Sequence, residues 1–378
     1  RGAAPVSGGV LGQLDPTLLL NQLVTLRLTV FDRGGNESTA SVTVQVARER
    51  KVGLFTLTFE DLSVAVAGLP ITVNRTYDSR DKGKGDFGIG WRLDFKTLPL
   101  RANRVLGTGW TRQSQGLNVH LVALDQHFVS VTLPDGKVET FDLVLSPTAA
   151  PFALDATSVV GFAPRSGTLG TLEGLDNSSL LVVQGGTEDE LWDDITFQTY
   201  DPQRFRYTDA AGNRFVIHKT SGVESITDRS GNTLTIAPGG ITHSSGRAIA
   251  FVRDGMGRIT SITDPLGGVR LYEYDANGDL RTYTDPDGRA TSFKYDRRHG
   301  LLDIVTPDGK SGARNEYDED GRLVATIDGL GRRTEFLRIP GVLQEILRDR
   351  LGNQTVIEYD ALGNVTARVD ALGGRTEY

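Results

Sequence analysis

Residues 264–288 read Asp264-Pro265-Leu266-Gly267-Gly268-Val269-Arg270-Leu271-Tyr272-Glu273-Tyr274-Asp275-Ala276-Asn277-Gly278-Asp279-Leu280-Arg281-Thr282-Tyr283-Thr284-Asp285-Pro286-Asp287-Gly288. The first and last four residues are the same kind of tetrad. Asp first, Pro second and Gly fourth is turn chemistry, because Pro presets φ and Gly tolerates the left-handed region. Related tetrads stand at Thr306-Pro307-Asp308-Gly309, Asp328-Gly329-Leu330-Gly331, Asp349-Arg350-Leu351-Gly352 and Asp370-Ala371-Leu372-Gly373. Counted from the weaker Gly246, the turn glycines step by 21, 21, 21, 22, 21 and 21 residues. So regular a period means stacked units.

Within a unit the period falls to two. The third residue after the turn glycine is Thr291, Thr334, Thr355 or Thr376, and the fifth is Phe251, Tyr272, Phe293, Phe336, Ile357 or Tyr378. The seventh is Tyr274, Tyr295 or Tyr359, with Tyr317 one place later. Alternate positions share one face of a strand. An Asp follows each of these tyrosines and opens a second turn, such as Asp275-Ala276-Asn277-Gly278. A return strand then carries an apolar residue at Ile259, Leu280, Leu301, Leu323 or Val365. Each unit is therefore strand, turn, strand, turn, and consecutive strands should pair antiparallel as a meander stabilised between neighbours. The unit from Gly331 to Gly352 departs from the pattern, with Ile339-Pro340-Gly341 at its second turn and Gln344 at the apolar place, which predicts a bulge or an edge-exposed kink. Helical spacing with caps is missing from the sequence, while Thr, Val, Ile and Tyr dominate between turns. The fold class is all-β. A long meander with two faces needs cover, and curling into a shell-like sheet would supply it while leaving few edges.

Outward from the array, composition narrows the function. The 378 residues include 45 Gly and 14 Pro at 38% hydrophobic content, and no apolar run approaches the ~18 residues of a spanning helix. No membrane span is expected. With no Cys there is no disulfide framework, thiolate nucleophile or Cys-ligated zinc. A net charge of −7 with interspersed basic residues offers no footprint for phosphate backbones, so nucleic acid is not expected as a partner. Arg1 and the half-unit ending at Tyr378 read as cuts from a longer chain.

Residues 1–47 hold two strands, Val24–Val30 and Ser41–Val46, around Asp32-Arg33-Gly34-Gly35-Asn36. They resemble the last hairpin of a bacterial immunoglobulin-like domain, a partial β-sandwich. Residues 48–145 read as an opening β-module with strands at Phe55–Phe59 and Leu69–Tyr77 and a hairpin around Pro134-Asp135-Gly136. Residues 146–200 read as a loop-rich insertion, and 201–378 as the array, whose first turns are Asp209-Ala210-Ala211-Gly212 and Asp228-Arg229-Ser230-Gly231.

Arg75-Thr76-Tyr77-Asp78 followed by Gly85-Asp86-Phe87-Gly88-Ile89-Gly90-Trp91 resembles the opening module of bacterial RHS proteins. The Asp-Pro-x-Gly turns and Tyr-Asp pairs resemble the YD repeats of RHS proteins, toxin-complex shell subunits and teneurins. The resemblance spans roughly residues 53–378. It implies a β-strip spiralling into a hollow shell, which in bacterial members encloses a C-terminal toxin polypeptide and is closed by an Asp-dependent self-cleavage site. No residue up to Tyr378 is assigned that role.

Strings that imitate catalytic motifs fail on context. Gly83-Lys84-Gly85-Asp86-Phe87-Gly88 satisfies the dinucleotide pattern, but strand-like residues follow where a helix should open. Asp308-Gly309-Lys310-Ser311 lacks the leading Gly of a phosphate loop, since Ile304 stands there. His120, His127, His218, His243 and His299 are scattered, and the odd spacing of His120 and His127 points them to opposite faces of a strand. No nucleophile elbow occurs. Glu188, Asp189, Glu190, Asp193 and Asp194, or Asp275–Asp279, could suggest Ca²⁺, but a solvated loop and an ordinary turn explain them. Packing explains the tyrosine row better than sugar stacking. The sequence thus predicts no catalytic, cofactor-binding or metal-binding residue. It points to a non-enzymatic shell segment of a secreted or cell-surface RHS-type toxin, with the protein's own C-terminal segment as partner. The alternative is a cell-surface adhesion or carbohydrate-binding protein whose partner is a surface protein or glycan.

Overall fold

The computed structural model describes residues 9–378 except 11, 13, 48–49, 51–52, 95–97, 116–117, 147–148, 152–157, 178, 184–187 and 339–341. Strands make up 56% of the chain. The helical element among the described residues is one 3-10 turn, Pro16–Leu18, capped by the Asp15 carboxylate on the Thr17 N–H.

Turn chemistry repeated at fixed spacing gives one sheet of 19 strands. Thr171–Gly174 pairs with Arg204–Thr208, and from there each strand pairs antiparallel with the next as far as Arg375–Glu377. The sheet curls into a half-barrel. Where Asp leads a turn, its carboxylate closes it. In the turn at Asp349, for example, Oδ1 accepts the N–H groups of Leu351 and Asn353 while Oδ2 accepts the Asn353 amide, and Gly352 takes φ of +87°. The same Asp-to-fourth-residue bond recurs at Asp209, Asp228, Asp254, Asp264, Asp285, Asp318, Asp328, Asp360 and Asp370. The Asp of each Tyr-Asp pair is therefore a backbone acceptor.

The Tyr has a different task. Register shifts by one residue just before it, between Glu273 and Tyr274, Lys294 and Tyr295, Glu316 and Tyr317, and Glu358 and Tyr359. These bulges set Tyr274 opposite Leu280, Tyr295 opposite Leu301 and Tyr317 opposite Leu323, so ring and apolar side chain meet on the inner face. The bulge predicted at the irregular unit is thus a property of the regular ones. Strands Arg333–Arg338 and Gln344–Arg348 pair without a shift, and the turn Ile339-Pro340-Gly341 lies outside the described residues. The single step of 22 has a structural counterpart. A second bulge between Ile304 and Val305 takes up the extra residue, leaving Gly312 unpaired and moving Asn315 into the place of the aromatic row.

That row faces inward, with Phe251, Tyr272, Phe293 and Asn315 all buried. Curvature is not its only cover. The opening module lies against it, contributing Phe87, Trp91, Tyr77 and Leu93, each fully buried, to one continuous core with the array. Aromatic side chains of this size remain out of water only against a second layer.

The module is a three-stranded sheet, Thr56–Val64, Ile71–Asp78 and Trp91–Leu93, with a small hairpin of Lys84–Gly85 and Gly88–Ile89. A six-stranded sheet follows, and residues 146–200 supply three of its strands. Where a loop-rich insertion is expected from the Gly, Ser and Thr content, strands Ser158–Pro164, Ser179–Val183 and Glu190–Asp193 pair in that sheet, and Thr171–Gly174 begins the array. Their apolar residues supply the reason, since Leu172, Leu180 and Leu191 are buried. Gln22–Phe31 and Glu37–Val46 form a separate hairpin.

Candidate functional site

Side chains from remote segments meet where the opening module crosses the array. Along strand Ile71–Asp78 the inward residues are Ile71, Val73, Arg75 and Tyr77, so an arginine occupies a core row. Its partner comes from an irregularity. A bulge between Glu60 and Leu62 takes Asp61 out of the ladder, and the carboxylate receives Arg75 as a fork, Nε to Oδ2 at 2.8 Å and Nη2 to Oδ1 at 3.0 Å. The two side chains are 1% and 2% exposed, so the pair is dry.

The array completes the site. Tyr272 donates its hydroxyl to Asp61 Oδ2 at 2.9 Å, and Arg270 donates Nε to the Asp61 carbonyl. Five rings surround the guanidinium, with Trp91, Phe59, Tyr283, Phe293 and Tyr272 centroids at 4.7, 4.9, 5.0, 5.4 and 5.9 Å. Arg75 Nη1 has no hydrogen-bond acceptor and is held by these π faces. Burial opposes the charge on Arg75, but Asp61 more than offsets it and holds the guanidinium above its ordinary range. Burial, with Asp61 added, pushes the Tyr283 phenol up to about 12 and Tyr272 up as well, so both stay neutral and Tyr272 keeps the proton it donates to Asp61.

Away from this centre the module meets successive units one after another. The Asp86 carbonyl accepts the Ile259 N–H, Ile89 N–H donates to the Gly278 carbonyl, and Gly53 accepts the Leu323 N–H. Between them, Tyr77 donates to the His299 carbonyl at 2.7 Å and accepts the Leu301 N–H at 2.9 Å, while Trp91 Nε1 donates to Tyr295 at 2.7 Å. The module is a strap across at least four hairpins, fastened beside each Tyr-Asp turn. Gly88 shows how close the approach is: at φ of +94°, an added Cβ would be 2.7 Å from the Gly278 carbonyl.

The motif-like strings take structural places here. Residues 83–88 form the small hairpin docked on the turn at Gly278, and Asp308–Lys310 is a turn tip. His120 lies in strand Asn118–Ala123 and His127 just precedes strand Phe128–Thr132 of another sheet, so strand alternation does not relate them. His127 stacks on Trp110 at 4.4 Å, and burial pushes its imidazole down. His218 and His243 accept turn N–H groups at Nδ1, as the aspartates do elsewhere. His299 Nδ1 meets both oxygens of the buried Asp279 at 2.9 Å. In the acidic group, Asp189 forks with Arg112, Glu190 accepts from Trp192 and Thr199, and Asp193 caps Ile195 and Thr196. Among the described residues no cluster of three or more His, Asp or Glu is arranged to hold a metal ion. Sequence reasoning did not single out Arg75, Asp61 or Tyr272 as a set. The available signal was an Arg two residues from Val73 and Tyr77 in a core row.

The RHS Repeat family profile matches residues 274–311, three consecutive strands of the sheet with the turns at Tyr274-Asp275 and Tyr295-Asp296. The chain carries an RHS repeat. A domain family of unknown function, DUF6531, matches residues 51–98, which span the strap. The two matched segments are therefore the two sides of one contact, with Tyr77 of the strap bonded to His299 and Leu301 of the RHS repeat. No curated protein matches the chain. Among solved structures it is similar to the Photorhabdus luminescens Tc holotoxin pore, at 11% identity over 92% of this chain and 22% of that chain, with a TM-score of 0.30. It is also similar to TcdB2-TccC3 without its hypervariable C-terminal region, at 12% identity over 92% and 22% with a TM-score of 0.30. The chain thus covers about a fifth of the length of those proteins. No helix among its described residues is long and apolar enough to cross a membrane.

Proposed function

We propose that this chain is a wall segment of a secreted RHS-type toxin, acting by enclosure and not by catalysis, with the protein's own C-terminal polypeptide as the enclosed partner. The observation that carries the reading is the curled 19-stranded meander whose inner aromatic row is sealed by the strap. A single sheet locked along one face is stiff enough to bound a space, and the residues at the centre of the strap hold one another instead of presenting a reactive atom. The hairpin Gln22–Val46 is read as the end of an immunoglobulin-like domain, since Val24, Leu26, Leu28 and Val30 line one side opposite Val44, Val42 and Ala40. The test is protease treatment of the full-length gene product. The C-terminal segment should resist digestion while the shell is intact and become sensitive once the shell is opened by acid. Free digestion of that segment inside an intact shell would rule out enclosure.

A further inference from the structure

An array of near-identical hairpins poses a problem of register. The strap could dock one unit early or late, a slide of two strands or roughly 10 Å, and still meet a Tyr-Asp turn, a bulge and an apolar residue. We propose that the strap reads its register from a key confined to one hairpin, Arg270, Tyr272 and Tyr283, which the Asp61–Arg75 pair recognises.

The array itself shows the difference. Tyr272 pairs with Tyr283 across the hairpin; the equivalent pairs on either side are Phe251 with Ile262 and Phe293 with Ile304. Neither neighbour carries a hydroxyl at these places. The residues equivalent to Arg270 are Ile249 and Thr291, which have no guanidinium for the Asp61 carbonyl. In the observed register Asp61 gains the Tyr272 hydroxyl and the Arg270 Nε, and Arg75 lies among Tyr272, Tyr283 and Phe293. One unit toward the N-terminus, the pair would face Phe251, Ile262 and Tyr272. One unit toward the C-terminus it would face Phe293, Ile304 and Asn315, a single ring. Either slide leaves a buried carboxylate short of donors and a buried cation short of π faces, and a dry ion pair tolerates that poorly.

A second pin agrees with the first. His299 stands at φ of +62° where the flanking turns have Gly278 and Gly321, and its ring is tied to Asp279, whose equivalents are Arg258 and Gly300. Tyr77 of the strap bonds the carbonyl of that residue.

The chain has no cysteine, so introduced disulfides report register without background. Ile89→Cys with Gly278→Cys reports the observed register, since an added Gly278 Cβ is 3.9 Å from Ile89 Cγ1. Ile89→Cys with His299→Cys reports a slide by one unit, because a disulfide does not span roughly 10 Å. With the key intact, oxidation should close the first pair and leave the second open. Moving the key by Arg270→Thr, Tyr272→Phe, Tyr283→Ile, Thr291→Arg, Phe293→Tyr and Ile304→Tyr should make the second pair close. The first pair closing fully and the second not at all, in a moved-key chain that keeps its β-sheet circular dichroism, would overturn the proposal. Should that chain fail to fold, erasing the key by Arg270→Thr, Tyr272→Phe and Tyr283→Ile decides in the same reporters, because no register then offers Asp61 a donor from these places. Some closure of the second pair is expected, with none from the control Tyr274→Phe, whose hydroxyl bonds the Ile259 carbonyl beside every register alike. No closure of the second pair from the erased key would equally overturn it.

Discussion

Replacing Arg75 with Met tests whether the ion pair at the centre of the strap holds the module to the array. The substitution keeps much of the side-chain volume and removes the charge. Because the two side chains are 1% and 2% exposed, solvent screening offers no discount. Asp61 would keep the Tyr272 hydroxyl but lose both fork bonds, and five rings would lose their cation. Removing one partner of a buried pair costs about 3–5 kcal/mol. At roughly 2 °C per kcal/mol, the low end for larger domains, the melting temperature followed by circular dichroism should fall by about 6–10 °C. The informative comparison is the triple variant Arg75→Met, Asp61→Leu, Tyr272→Phe, which removes the charges and the hydroxyl that served them. Replacing a whole buried pair by apolar groups is often close to neutral, so the triple variant should recover most of the loss. A melting temperature lowered by less than about 2 °C in Arg75→Met, or a triple variant less stable than the single, would refute the reasoning.

Hydrogen bonds from the fourth residue on hold the carboxyls of Asp328, Asp349 and Asp360 below their ordinary value. Groups with a depressed folded pKa stabilise the fold above the unfolded value, roughly 3.9, and that support is lost as pH falls through the folded value. Thermal melts should therefore be nearly flat from neutral to about pH 5 and drop steeply below about pH 4; melts that rise on acidification would contradict this turn chemistry. Gly88→Ala should destabilise by about 1–3 kcal/mol more than Gly288→Ala, because both have positive φ but only Gly88 faces a carbonyl 2.7 Å from the added Cβ. Urea midpoints compare the two, and equal losses would mean that the strap does not approach the turn closely. Leu351→Ser and Leu372→Ser alter turn tips that are 80% and 97% exposed, so each should change stability by less than about 0.5 kcal/mol in the same assay.

The meander itself was legible from residues alone. Turn tetrads and two-residue alternation are local signals, each readable within a unit of about 21 residues, and nearest neighbours in the chain became nearest neighbours in the sheet. The 22-residue step was visible too, although only pairing revealed that it becomes a bulge at Gly312 and brings Asn315 into the aromatic row. The strands within residues 146–200 leave little mark in the sequence, because Gly, Ser, Thr and Ala content outweighs their short apolar runs, and Ser158–Pro164 finds one partner upstream in Val138–Ser146.

Left to the tertiary structure was where the opening module goes. Arg75 and Tyr272 are about two hundred residues apart, and a contact over that separation leaves no periodic mark on either segment. Whether Arg75 faces water or a ring of aromatics depends on a bulge at Asp61 and on which hairpin the strap meets. Sequence therefore determined the repeating wall, through turns and alternation that act over a few residues. Packing between remote segments decided how that wall is sealed, because only the assembled layers remove an ion pair and its rings from water together.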